Sequence, residues 1–462
     1  MGFYFAQFLT GLASASALFL VASGLSIIFG VTRIVNFAHG SLYMVGAYLA
    51  YSVVNWLPFG MFGMFGFWLA VVIAAFGVGL LGVVIEFLVL RHLYRSPELF
   101  QLVATFGVVL IIQDAALAIW GPEDIVGPRA PGLDSVVRIF GEPIPEYDLA
   151  LIIIGPAVLL AVWLILNRTR WGTLVLAATH DREMAAALGI NQTLLFTSVF
   201  FLGAFLAGLG GALQIPRETI SLLMDLNVIA EAFVVVVIGG MGSVPGAFLA
   251  AVIIGELNAF GVLVFPQITI VLAFLVMAVV LVLRPQGLLG KPEIHAHAPA
   301  HVREAPLQPF GFRQRIAVGI VLALLAALPL VTGDFTLVLA TDILVFAVFA
   351  ASLQFIMGTG GMVSFGHAAY FGLGAYGAAL LVKHAGAGLA LGLLAAPVAA
   401  GLGALVFGWF CVRLSGVYLA MLTLAAAQIV WATAFQWADV TGGDDGILGV
   451  WPPGWLAGRT AY

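Results

Sequence analysis

Across 462 residues the chain is 63 % hydrophobic and 8 % charged, with a net charge of −5. Soluble domains hold about a quarter charged residues, so an ordinary soluble protein is excluded; apolar runs near membrane length recur, not the short alternating segments of a β-barrel. The charge is spread over loops, which leaves no tract for nucleic acid, and the lone Cys411 excludes an internal disulfide. The expected class is an all-α polytopic membrane protein.

The first basic residue is Arg33, so no positive region precedes the opening apolar run, and residues 8–30 are read as a retained helix, not a secretory signal. Further spans are expected near 40–57, 67–90, 99–120, 149–167, 191–213 and 264–283. RHLYR at 91–95 and NRTRW at 167–171 are basic, whereas the loop at 121–148 is net acidic and rich in Pro and Gly. The positive-inside rule places the basic loops in the cytoplasm and the acidic loop outside. The same count puts both ends of EAFVVVVIGGMGSVPGAFLAAVIIGE, residues 231–256, on the outer face. Its interruption at Gly239, Gly240, Gly242 and Ser243 predicts a re-entrant pair of half-helices with arms too short to cross singly. The side of the N-terminus stays open, because residues 31–39 read either as a loop or as a break inside the membrane.

Residues 291–313 have linker composition, with prolines, charges and few large apolar residues. His295, His297 and His301 lie there without a rigid frame, so a solvated linker is favoured over a metal tract. Spans resume near 315–332, 337–357, 368–383, 389–411 and 415–437. Residues 35–50, VNFAHGSLYMVGAYLA, and 363–378, VSFGHAAYFGLGAYGA, are identical at seven of sixteen positions, and Leu25 and Gly30 match Leu353 and Gly358 at the same offset of 328. The chain therefore reads as two related helical modules, 1–290 and 314–462, joined by the linker; such a duplication places a substrate path between halves. Residues 150–285 have no counterpart in the second module, which is expected to be incomplete.

The motifs exclude enzyme chemistry. Gly290-Lys291 is followed by Pro292, so no phosphate-cradling P-loop forms, and no paired-carboxylate, metal-ligand or nucleophile–His arrangement lies within the spans. No catalytic residue, metal or bound cofactor is expected. Asn36, His39 and Gly46, with Ser364, His367 and Gly374, are read as broken-helix elements of a translocation path, a structural role beside the path being favoured over substrate contact. Glu86, Gln113, Asp114, Glu256, Asn258 and Gln428 are weaker candidates, Glu86 being close enough to Arg91 to pair. In the cytoplasmic stretch 168–192, Thr179 or Asp181 caps a short helix starting at Arg182 and Gly189 stops it. Met184, Ala185 and Leu188 would share one apolar face. That face suits either a groove in a soluble partner or the lipid headgroups, and the residues alone favour neither.

NFAHGSLYMVGAY, DREMAAALGIN and VVVIGGMGSVPGAFLAA resemble, in order and spacing, the first permease of bacterial branched-chain amino acid ABC importers. SFGHAAYFGLGAY, RLSGVYLAMLTLA and TGGDDGI resemble the start of its partner, the second permease. The resemblance covers most of residues 1–290 and 335–449 and implies a fusion of two permeases in the inner membrane. It further implies a periplasmic binding protein that delivers the solute and two cytoplasmic ATPases that use ATP. Asp181, Arg182, Met184, Ala185, Leu188 and Gly189 would form the helix that receives the ATPase motion, and His39 and His367 would be matched elements of two pseudo-symmetric halves. Permeases for urea and short amides share these motifs. An ion-coupled secondary carrier is the reading from another class; it would place an acidic site in both modules, and Glu256 has no counterpart. The family's second permease runs on through its own coupling loop, whereas this sequence stops at Tyr462. That leaves a shortened or frameshifted sequence, a separate chain completing the module, or a defective product.

Overall fold

A bilayer core offers backbone groups no hydrogen-bonding water, so long apolar runs close their bonds internally as helices. Among the described residues ten helices are long and apolar enough to cross a membrane. The computed structural model describes residues 2–56, 59–94, 96, 98–180, 182–264, 266–290, 309 and 311–450. The chain separates into two units, Met1–Lys291 and Pro292–Tyr462.

The first unit begins with α1 (Gly2–Thr32), α2 (Ala38–Trp56) and α3 (Phe59–Ile85), the last running through a π turn at Glu86–Leu90 into α4 (Arg91–Leu93). There follow α5 (Glu98–Trp120), a hairpin of β1 (Val136–Ile139) and β2 (Glu142–Pro145), and α6 (Glu146–Arg168). Next come α7 (Arg170–His180), α8 (Arg182–Ala187), α9 (Gln192–Gln214), α10 (Met224–Gly239), α11 (Val244–Val264) and α12 (Thr269–Leu283). The stretch expected to be a loop before the short cytoplasmic helix is thus mostly helical.

Helix α1 is the axis of this unit: 89 % of its most apolar window is buried, packed by α6, α9, α10 and α11. Its small residues let neighbouring backbones come close, since a Cβ on Gly24 would strike the Gly203 carbonyl of α9 and a Cβ on Gly11 would strike the Glu256 carboxyl of α11. At the outer end, the hairpin turns through Phe140 and Gly141, with φ of 53° and 86°, the two left-handed positions a two-residue turn demands. Gly2 packs on the Phe140 carbonyl, so α1 starts beside the acidic outer loop. That loop is tied to the segment before α10 by reciprocal backbone bonds between Ile125 and Ile220, 2.9 and 2.8 Å.

The expected pair of short re-entrant arms is corrected. Helix α11 runs on to Val264, 21 residues, which at 1.5 Å per residue is about the 30 Å of a bilayer core. The turn between α10 and α11 is clamped by Leu288 N–H to the Ile238 carbonyl (2.7 Å) and Leu289 N–H to the Gly239 carbonyl (3.0 Å). The turn thus packs on residues 284–290, the segment after α12, and of the two arms α11 is long and apolar enough to cross a membrane whereas α10 has 16 residues.

The second unit contains α13 (Phe312–Val331), α14 (Asp334–Gln354) ending in a π turn at Phe355–Thr359, α15 (His367–Ala385), α16 (Leu389–Cys411), α17 (Gly416–Gln436) and α18 (Ala438–Thr441). Helices α15, α16 and α17 pack together, while none of the most apolar window of α14 is buried. Most of the expected linker, including His295, His297 and His301, lies outside the described residues, and its last two positions already belong to α13.

Candidate functional site

The first broken element is built by side chains that take over backbone bonds. Thr32 Oγ1 donates to the Ile28 carbonyl (2.8 Å) and accepts from Ile34 N–H (3.2 Å) as α1 ends. Arg33 adopts a left-handed φ of 59°, and Asn36 Oδ1 accepts from Ala38 N–H (3.1 Å) to open α2. His39 Nε2 lies 3.0 Å from the Val21 carbonyl. Since a carbonyl only accepts, Nε2 carries the proton. Val21 lies eleven residues before the end of α1, about 16 Å back along the axis, so residues 33–37 run back beside α1. The stretch 31–39 is therefore a break between helices at residues 33–37 that folds back along α1. Asn36 and His39 are fully enclosed, and Gly46 lets α2 lie directly on the Gly208 backbone of α9.

In the second unit, His367 Nε2 lies 2.7 Å from Ser352 Oγ, and that hydroxyl donates to the Phe349 carbonyl (2.7 Å). The ring of His367 also packs on Phe349, centroids 5.2 Å apart. Ser364 stands in the extended stretch before α15; the following Phe365 N–H donates to Thr423 Oγ1 of α17 (3.0 Å). Gly374 faces Ala396 and Ala400 of α16, with room for a methyl group in ordinary or slightly tight contact.

The four residues assigned to a re-entrant loop form the turn between α10 and α11. Gly240 and Gly242 take left-handed φ of 98° and 81°, and Gly239 packs on the backbone of Gly246. Ser243 caps α11, its Oγ accepting from Gly246 N–H (3.2 Å).

In the coupling segment, Asp181 lies outside the described residues and Arg182 opens α8. Met184 and Leu188 are 58 % and 75 % exposed, whereas Ala185 is buried, so the three do not share one exposed face as expected. Gly189, φ 83°, ends the helix through Gly189 N–H to the Ala186 carbonyl (2.9 Å) and Ile190 N–H to the Ala185 carbonyl (3.1 Å), the paired closure of a Schellman turn.

A profile of the branched-chain amino acid transport system permease component matches residues 7–283 and again 335–454. The chain belongs to that family. The high-affinity branched-chain amino acid transport system permease protein BraD of Pseudomonas aeruginosa is 30 % identical over 308 residues, 63 % of this chain and 97 % of that protein. The corresponding LivH of Escherichia coli is 27 % identical over 305 residues, with the same two shares. LivM of Escherichia coli is 29 % identical over 135 residues, 29 % of this chain and 32 % of LivM. No solved structure matches. With two family matches in one chain and ten candidate spans, the protein is a fused pair of permease segments and a multi-pass inner-membrane protein.

Within this permease, two of the six weaker polar candidates, Glu86 and Gln113, have side-chain partners in the structure. Glu86 accepts from Arg91 (3.1 Å), Tyr94 (3.0 Å) and Thr197 (2.8 Å) at the cytoplasmic end. Gln113 donates to both carboxylate oxygens of Asp225 at 3.1 Å, and Ser41 Oγ donates to the same group at 2.9 Å. Asp114 is exposed and Gln428 half-buried. Asp225 is almost wholly buried and ties α2, α5 and α10 together. Sequence reasoning missed it as part of an outer loop; the polar Gln113 inside an apolar span was the one available signal.

Proposed function

We propose that the chain is the membrane subunit of an ABC importer for branched-chain amino acids. A binding protein outside delivers the solute, and two separate ATPases in the cytoplasm drive the transport cycle. Membership of both segments in the branched-chain permease family carries this reading. ATPase coupling is assigned to α8 and the turn that ends it, where Met184 and Leu188 present exposed apolar side chains beside basic loops. The test is uptake of labelled leucine by cells expressing the chain with its neighbouring ATPases and binding protein. ATP-dependent uptake displaced by isoleucine and valine is expected. Displacement by urea or acetamide alone would move the substrate class to amides, and uptake that survives ATP depletion would overturn the importer reading. Met184→Asp is expected to abolish both uptake and ATPase co-purification while leaving membrane insertion intact; unchanged co-purification would overturn the role of α8.

A further inference from the structure

A half-open cavity of about 400 Å³ lies in the first unit, lined by α1, α2, α9, α10, α11 and the segment that follows α9. Tyr43, Gln214, Glu218, Asn227, Glu231 and Asn258 bring polar groups to its wall. No Lys, Arg or His lines it. The cation next in sequence, Arg217, is paired with Asp148 at 3.0 Å and donates at 3.2 Å to Ser14 Oγ on the cavity's edge, without itself lining the space. Burial pushes the Glu218 carboxyl up, and Arg217 offsets only part of that. Glu218 and Glu231 both keep surface open to the cavity. Gln214, only 6 % exposed, lines the same space, and its amide oxygen has no hydrogen-bond partner.

Two carboxylates facing one half-open cavity repel each other, and a positive charge placed between them relieves that repulsion. The volume decides which kind. A metal ion needs several oxygens converging within about 2.6 Å, and a water occupies roughly 30 Å³, so a space of this size is far too wide to close on a bare ion. It fits an organic molecule of amino-acid size. Leu18 and Val228 add an apolar wall, and the amides and the phenol supply both donors and acceptors.

We propose that this cavity binds the ammonium group of a small organic amine, with Glu231 and Glu218 as its acceptors and Gln214 beside them. The proposal deepens the importer reading and rests on it for the choice of an amino acid as one ligand. The ammonium can belong to a zwitterion or to a simple amine, and the test separates the two. The full chain in nanodiscs, without ATPases or binding protein, is titrated with leucine, with isopentylamine (leucine without its carboxylate), and with 4-methylpentanoate (leucine without its ammonium). Isopentylamine is expected to bind, and 4-methylpentanoate at least tenfold more weakly. Leucine binding as well as isopentylamine makes the site a zwitterion site, and amine binding alone makes it a site for amines; either supports the proposal.

Glu231→Gln and Glu218→Gln are each expected to weaken amine binding at least tenfold, with the exposed Asp114→Asn as an unaffected control. Equal binding of 4-methylpentanoate, displacement of the amine by equimolar sodium, no amine binding, or unchanged affinity in both Gln variants would overturn the proposal. Should a Gln variant fail to fold, the ligand series on the unaltered chain still decides. Leucine uptake by the full assembly is measured in parallel. Uptake without amine binding removes the site and leaves the importer; amine binding without uptake removes the importer and leaves the site.

Discussion

In the first unit the imidazole of His39 donates straight to the Val21 carbonyl, whereas in the second His367 reaches the hydroxyl of Ser352, which hands the bond on to the Phe349 carbonyl. His39 and His367, Val21 and Phe349, and Gly24 and Ser352 are each 328 positions apart. One hydroxyl has been inserted into an otherwise shared arrangement. The cause lies in what crosses α1. A Cβ on Gly24 would meet the Gly203 carbonyl of α9 and come within 3.0 Å of the His39 ring, so glycine is required there. Among the described residues no helix crosses α14 in that way, and position 352 is free to carry a side chain. The same contrast separates Gly46, pressed on the Gly208 backbone, from Gly374, which has room. The motif is shared, but the steric demand on it comes from its neighbours.

The largest effect is expected where that demand is hardest. Gly46→Ala forces a methyl group into the backbone of α9, and overpacking against an unyielding wall costs about 3 kcal/mol or more. Little monodisperse protein should survive extraction. Gly374→Ala should be neutral or stabilising, because alanine is favoured over glycine in a helix by about 1 kcal/mol. Thermal unfolding in detergent compares the two, and equal damage would break the distinction.

Next in size come the histidines. His39→Ala removes an enclosed ring and its bond to Val21, a loss of about 3 kcal/mol from cavity and hydrogen bond together. His367 is only half-buried, and His367→Ala should cost about 1 kcal/mol. A larger loss at His367 than at His39 would show that burial in the first unit does not set the energetics.

The helices and the matched histidines were legible in the sequence because a bilayer leaves a long apolar run little choice, and because a polar residue repeated in one local frame stands out. What could not be read depended on crossings. The second re-entrant arm was expected to stop near Glu256; in fact the Glu256 carboxyl lies over Gly11, Asn258 faces the cavity, and α11 continues to Val264. Ala185 shares spacing with Met184 and Leu188 but is buried. The Asp225 network joins residues 184 and 112 positions apart, and no local pattern announces such a pairing. Gly46 and Gly374 look alike in sequence, and only their neighbours distinguish them.

The smallest expected effect is the most diagnostic of the inserted hydroxyl. Ser352→Ala deletes the acceptor of His367 Nε2–H but keeps a Cβ, and in the first unit a Cβ at the matching position would stand against the ring. Ser352→Gly deletes both and opens the direct route to the Phe349 carbonyl that His39 already uses toward Val21. Helix propensity ranks alanine above glycine by about 1 kcal/mol, while an unpaired polar group away from water costs about 1–3 kcal/mol. The hydrogen bond should win by a small margin, leaving Ser352→Gly at least as stable as Ser352→Ala. Melting temperatures of the two variants in one detergent decide it. If alanine is clearly the more stable, the bond to His367 contributes less than propensity, and the serine is surface decoration instead of a replacement for the glycine contact.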